Sequence, residues 1–340
     1  PACDRCGVDF HYPLGAFMTP TTEHLSGWRL RALIFSIGAA VAGYLAFSFW
    51  GGWDDVVAAF IKIGLLGTLL ALAMSLINYG LRFVRWQLYL NQLGHGVEWL
   101  SSLRIYLAGF ALTTTPGKAG EAFRGVLLKQ HNVPFPTTFA AFISERLSDL
   151  VAIVLLTLVG LAQYPQARGI VLAGVVGIVV VLVCLSSQKV LNKLHAWASV
   201  RQGKLMALMA HVCDMLGEAR QCHRPGLLAV ATLISVIAWG AEALAFYWVL
   251  SWLGADISLS FAIFVYALSM LAGALSFLPG GLGSAEAVMI SLLVFKGMAA
   301  PAAVAATVFI RLATLWFAVV IGLVALVRSR HGTLSQEEVA

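Results

Sequence analysis

Nine charged residues sit inside or beside long apolar runs. Lys118, Glu121 and Arg124 surround a Pro-Gly break; Glu145, Arg146 and Asp149 follow in the next run; Glu242, Glu286 and Arg311 stand in the second half. A charge at the centre of a membrane helix costs on the order of 2.5–3.5 kcal/mol on insertion scales, so such a cluster needs a use or a partner. Glu121 and Arg124 are three apart, Glu145 and Asp149 four, and Arg146 and Asp149 three, so on helices each cation has a carboxylate within reach. The chemistry open to this set is electrostatic. Its cations suit a phosphate or similar anionic headgroup. Its carboxylates suit three roles that the sequence leaves open: holding the arginines, meeting a cationic part of a ligand, or carrying protons. Thr113, Thr114 and Thr115 either cap a helix or touch the ligand.

Two related breaks must position these groups. TTTPGKAGEAFR (113–124) contains Pro116, Gly117 and Gly120, and SFLPGGLGSAEA (276–287) contains Pro279, Gly280, Gly281 and Gly283. Each interrupts an apolar segment and then opens a helix bearing a glutamate. Broken backbone is tolerated at membrane depth only where protein or a water-filled cavity receives its polar groups. Helices beginning near Ala119 and Ser284 are expected to aim backbone N–H groups and a positive dipole end at an anion.

The breaks belong to a longer internal repeat. Glu121 and Glu286, Pro136 and Pro301, Arg146 and Arg311, and Leu150 and Leu315 are all 165 positions apart; Gly80 and Gly240, Leu90 and Leu250, and Gly94 and Gly254 are 160 apart. Matches in this order indicate a duplication of roughly 90 residues, with repeat one at about 63–161 and repeat two at about 227–327.

At 340 residues, 60% hydrophobic and 11% charged, with a mean hydropathy of +0.87, the chain is far outside the soluble range. Apolar runs predict full spans at about 32–50, 63–83, 137–161, 169–186, 227–252 and 304–327. Runs too short to cross alone predict re-entrant helical hairpins at about 103–129 and 259–295. The fold expected is an all-α polytopic membrane protein with inverted repeats, about six full spans and two re-entrant hairpins. Basic flanks place the N-terminus, the 187–224 loop and the C-terminus on the cytoplasmic side of a bacterial-type inner membrane. Arg82 and Arg85, with Trp86, are expected at that interface. Residues 1–28 read as a cytoplasmic extension, of which 1–17 precede the start-like Met18; 29–328 form the membrane domain and 329–340 a tail. Within 187–224, Leu205, Leu208, Met209, Val212, Met215 and Leu216 recur at helical spacing, for a helix lying on the membrane or on the protein's own face.

The net charge of +6 is explained by these basic flanks rather than by nucleic acid. Cys3 and Cys6 form a lone CxxC without a second pair, so neither metal nor cofactor is expected. No GxxxxGK[ST] motif occurs, so any drive comes from an ion gradient, the membrane potential or downstream consumption.

PGKAGE, SERLSD and LPGGLGSAEA, in this order, resemble the flippase-like transmembrane region of the lysylphosphatidylglycerol synthases over about residues 30–328. The resemblance implies an inverted-repeat lipid translocase fold acting on membrane lipids: phospholipid, polyprenyl-phosphate-linked or hopanoid-type. By match of motif it puts the polar centre on Lys118, Glu121, Glu145, Arg146, Asp149 and Glu286, and by the repeat on Arg311. The synthases carry a soluble aminoacyl-transferase domain after this region. The chain reads as a stand-alone member without it, and not as an enzyme. Two other readings stay open: an intramembrane headgroup enzyme using Glu145 and Asp149 as acid and base, and a non-transporting scaffold for a lipid-synthesis enzyme.

Overall fold

A computed structural model describes residues 53–114, 121, 123–161, 168–200, 220–276 and 278–337, with isolated positions between 200 and 220. The span at 32–50, Pro116, Gly117, Lys118 and Gly120, and most of the helix expected at 205–216 lie outside the described residues. Eleven α-helices lie among the described residues. They are α1 (Trp53–Gln92), α2 (Trp99–Ala108, continued as a 3-10 turn over Gly109–Leu112), α3 (Arg124–Leu128), α4 (Phe135–Leu161), α5 (Arg168–Ser186) and α6 (Gln188–Ser199). After a 3-10 turn at Arg220–His223 come α7 (Pro225–Trp252), α8 (Leu259–Leu275), a 3-10 turn at Pro279–Gly281, α9 (Ser284–Phe295), α10 (Ala300–Arg311), a π-turn at Leu312–Trp316 and α11 (Phe317–Glu337). No strand occurs among the described residues.

Among the described residues, α1, α7, and α10 with the start of α11 are long and apolar enough to cross a membrane. Their burial pattern is the reverse of a soluble protein's. On α1, Leu65 and Leu66 are 77% and 72% exposed, whereas Arg82 and Arg85 are 5% and 0% exposed. Apolar side chains outward and guanidiniums inward is the arrangement that lipid, not water, selects. This corrects the interfacial placement expected for Arg82 and Arg85. Helix α1 does not end at Phe83 but runs to Gln92, and carries both arginines into the interior.

The two halves turn in the same way at the same places. Gly94 and Gly254 both have φ +82°, the left-handed conformation that a residue with a Cβ resists. Around them, Gly94 N–H donates to Asn91 and His95 N–H to Leu90, while Gly254 N–H donates to Ser251 and Ala255 N–H to Leu250. The next helices are capped at equivalent residues, Glu98 accepting from the Leu100 and Ser101 amides and Ser258 from the Phe261 amide. The hydroxyl and amide of Ser101 hold the exposed Glu98 carboxyl below the usual carboxylate range. Later, Asn132 and Gly297 again share a left-handed cap and its pair of bonds.

Equivalent helices meet head to tail. Lys62 near the start of α1 donates to the Leu253 carbonyl just past the end of α7 at 2.8 Å, and Arg85 farther along α1 donates to Ser235 nearer the start of α7. The remaining packing is reciprocal: α4 lies against α8, and α11 lies against α2 and its 3-10 extension. The equivalence also reaches farther upstream than the expected boundaries. Ala59 and Ile63 in the first turns of α1 match Ala219 and His223, and all four are buried. Gly64, at φ +68°, separates that opening segment from the rest of α1, where repeat two has the N-cap Arg224.

Each reciprocal contact depends on a glycine. A Cβ on Gly322 of α11 would lie 2.1 Å from the Ala111 amide nitrogen, and one on Gly160 of α4 would lie 2.0 Å from Phe264 Cβ. Gly322→Ala is therefore expected to destabilise by about 1–3 kcal/mol or more, because backbone must retreat from backbone. A lowered unfolding midpoint in mild detergent checks this, with Gly174→Ala on α5, whose Cβ meets nothing within 4 Å, expected to be near neutral.

Candidate functional site

The charged residues form two layers, distinguished by the length of their ion pairs. The rear layer is tight and buried. Arg85 Nη1 donates to Asp149 Oδ1 at 2.6 Å, Arg124 Nη2 to Glu121 Oε2 at 2.6 Å, and Arg124 Nη1 to Glu145 Oε2 at 2.9 Å. Arg85 also stands 3.7 Å from Glu145. The Arg124 guanidinium lies 4.9 Å from the Trp86 ring centroid and 4.4 Å from that of Tyr106. Gly109 makes the room: a Cβ there would come within 2.6 Å of Arg124 Nε.

The front layer is looser. Arg82 Nη2 is 3.4 Å from Asp149 Oδ2, and Arg146 Nη2 is 3.3 Å from the same oxygen and 3.4 Å from Glu121 Oε2. Bonds of this length are weak beside those at 2.6 Å. The Nε atoms of Arg82 and Arg146 are buried with no hydrogen-bond partner, as are those of Arg85 and Arg124 in the rear layer. Arg82 is oriented by the Trp239 ring at 5.6 Å, and that indole donates to Asp149 Oδ1 at 3.1 Å.

Both front arginines line a cavity of about 360 Å³, within the size range of small-molecule sites. Its charged wall consists of Arg82, Arg146 and Arg311 with Glu121, Asp149 and Glu242. Tyr79, Thr113, Tyr266 and Thr314 add hydroxyls, and Leu150, Ile153, Leu275 and Leu278 make an apolar side. On the repeat-two wall Tyr266 donates to Glu242 at 2.6 Å. Arg311 donates to Glu286 at 2.6 Å and to the Gly280 carbonyl at 2.9 Å. The pairing of Glu121 with Arg146 thus recurs as Glu286 with Arg311, and the Trp239–Asp149 bond recurs as Tyr79 donating to the Thr314 carbonyl. The π-turn after Arg311 turns backbone carbonyls toward α1, where Ser75 takes that of Ala313 at 2.8 Å and Tyr79 that of Thr314.

Of the expected binding residues, Glu121, Arg146, Asp149 and Arg311 line the cavity. Arg124, Glu145 and Glu286 do not; they stand behind it and hold those that do. Lys118 lies outside the described residues. At the N-terminus of α9, where an outside anion is expected from the sequence, the protein's own carboxylate takes the N-cap amide: Glu286 Oε2 accepts from Gly283 N–H at 2.7 Å. A carboxylate there is favoured by the helix dipole. Of the second break, Gly280 and Gly281 have φ +63° and +67°, and Gly281 sits where a Cβ would be 2.8 Å from the Gly273 Cα. Gly283, at φ +85°, is the N-cap of α9, and Pro279 opens the 3-10 turn.

Arg82 and Arg85 were missed by reasoning from spacing, although a signal was present. Asn78, Arg82 and Arg85 share one helix face, and Arg82 is the repeat partner of Glu242, so the two walls carry opposite charges at equivalent positions. No three His, Cys, Asp or Glu side chains gather as a metal site among the described residues.

The family model described as the lysylphosphatidylglycerol synthase TM region matches residues 31–322. The chain belongs to this family. Among its relatives, a UPF0104 membrane protein of Pyrococcus horikoshii is 23% identical over 88% of this chain and 97% of its own length. A UPF0104 membrane protein of Methanothermobacter thermautotrophicus is 25% identical over 81% and 89% respectively. With the family, the apolar helices describe a multi-pass membrane protein connected with membrane-lipid metabolism or transport.

Proposed function

We propose that the cavity receives the anionic headgroup of a membrane lipid and that the protein moves this headgroup between leaflets by alternating access. The observation that carries this reading is the pair of front guanidiniums. Arg82 and Arg146 face the cavity, and their ion pairs, at 3.3–3.4 Å, are longer than the closest pairs of Arg85 and Arg124 behind them. A phosphate can take these donors without orphaning a carboxylate, since Asp149 keeps Arg85 and Glu121 keeps Arg124. The apolar side of the cavity, where Leu275 and Leu278 are exposed, lets the lipid tails remain in the bilayer. The head-to-tail meeting of equivalent helices supports inverted repeats; the proposed topology keeps about six full spans, two re-entrant hairpins around Pro116 and Pro279, and both termini in the cytoplasm. The lipid is a phospholipid, a polyprenyl-phosphate-linked lipid or a hopanoid-type lipid, and a lipid-synthesis enzyme is a fitting partner. The acid–base enzyme reading draws little support from the geometry: Glu145 lies behind the wall and Asp149 meets three guanidiniums.

Native mass spectrometry of the protein extracted in mild detergent tests the site. A discrete phosphate-bearing lipid is expected on the wild type and is expected to be lost from Arg146→Ala. Bulk phospholipid carried equally by both proteins would remove the anion site and favour the scaffold.

A further inference from the structure

Helix α6 follows α5 with one residue between them. Ser187 is extended, at φ −88° and ψ 106°, and turns the chain out of the α5 direction. Helix α5 has 19 residues with a single charge, Arg168, at its first position. At 1.5 Å per residue it is about 28 Å long, close to the thickness of a bilayer's hydrocarbon core. Crossing the bilayer, a helix of this length brings the start of α6 to the edge of the hydrocarbon. Helix α6 is pinned there from the far side of the loop, by Arg220 donating to Gln188.

The surface of α6 is divided into strips along its axis. Leu191 and Ala198, two turns apart, are 4% and 1% exposed and form the strip that faces the protein. The next strip, Leu194 and Trp197, is apolar yet 42% and 45% exposed. Lys189 and Lys193 flank it and are exposed, and on the remaining side Gln188 and Asn192 bond to one another at 3.1 Å. An exposed Leu–Trp strip edged by lysines suits the boundary between acyl chains and anionic headgroups, where the indole sits at headgroup level and the ammonium groups snorkel outward.

We propose that α6 lies in the headgroup layer of the leaflet into which α5 emerges, with Leu194 and Trp197 toward the acyl chains and Lys189 and Lys193 on anionic lipid phosphates. It is a different segment from the amphipathic helix expected at 205–216, most of which lies outside the described residues. The proposal is independent of what the cavity carries; it requires only that α5 spans the membrane. In function it would fix the height of α5, and through Arg220 that of the turn leading into α7, relative to an anionic surface.

Backbone hydrogen exchange of residues 188–199 tests it, with the full chain in nanodiscs of phosphatidylcholine alone or mixed with phosphatidylglycerol. Two lysines at an anionic surface slow local opening by roughly 25-fold together. Exchange is therefore expected to slow by about that factor when phosphatidylglycerol is present. Lys189→Gln/Lys193→Gln should remove this lipid dependence while exchange in α7 stays as in the wild type. Fast exchange in both lipids would put α6 in water, and equally slow exchange in both would put it against protein; either result overturns the proposal.

Discussion

Asp149→Ala is expected to cost the fold about 3–5 kcal/mol, the usual penalty for leaving a buried cation without its partner. Asp149 is the point at which helices from three places in the chain converge. It accepts from Arg85 at 2.6 Å and from Trp239 at 3.1 Å, and it faces Arg82 and Arg146 at 3.4 and 3.3 Å. Arg82 and Arg146 border the cavity, where water can reach them. Arg85 does not: it is fully buried, and without Asp149 its remaining acidic neighbour is Glu145 at 3.7 Å. The double change Asp149→Ala/Arg85→Met, which removes both buried charges, should recover part of the loss. Unfolding midpoints and the monodisperse fraction in mild detergent measure both variants. An Asp149→Ala protein as stable as the wild type would mean that the rear layer does not hold the helices together.

Arg82→Gln/Arg146→Gln should do the opposite, removing transport while sparing the fold. A hydrogen bond to a charged group contributes about 1.5–3 kcal/mol, so losing two such donors to a headgroup phosphate predicts a fall of about a hundredfold or more in headgroup binding and in flux. Stability is expected to change little, because the carboxylates facing these arginines keep their tight partners in the rear layer. The measurement is leaflet exchange of headgroup-labelled lipid in vesicles containing the purified protein. Undiminished exchange would place the headgroup elsewhere, whereas lost exchange together with lost stability would show that the front arginines are structural. Arg124→Gln is the useful contrast. Its guanidinium is 1% exposed and bridges Glu121 to Glu145, so its loss should appear first as instability.

Much of the plan was legible because a duplicated chain repeats its punctuation. The 160-residue spacing of Gly94 and Gly254 became the same left-handed cap with the same two bonds, and the 165-residue spacing of Glu121 with Glu286 and Arg146 with Arg311 became the same carboxylate–guanidinium pair. Helical spacing also identified the partners of Arg124 and Arg146 correctly, since residues three apart on a helix are neighbours whatever surrounds them.

The amino-acid sequence by itself determined that this is a helical membrane protein with two related halves, each broken by a Pro-Gly turn and each carrying a glutamate and an arginine 25 positions apart. Those properties reside in composition, periodicity and order along the chain. Only the tertiary structure decided which charges face the cavity and which brace it. Arg85 and Asp149 are 64 residues apart, and nothing in local spacing predicts that α1 and α4 bring them to 2.6 Å. Nor does spacing tell an arginine at a membrane surface from one sealed inside, because the same basic residue near a helix end serves either place. Burial settles the difference. A guanidinium removed from water must find its carboxylates, and where it finds them depends on how the helices pack.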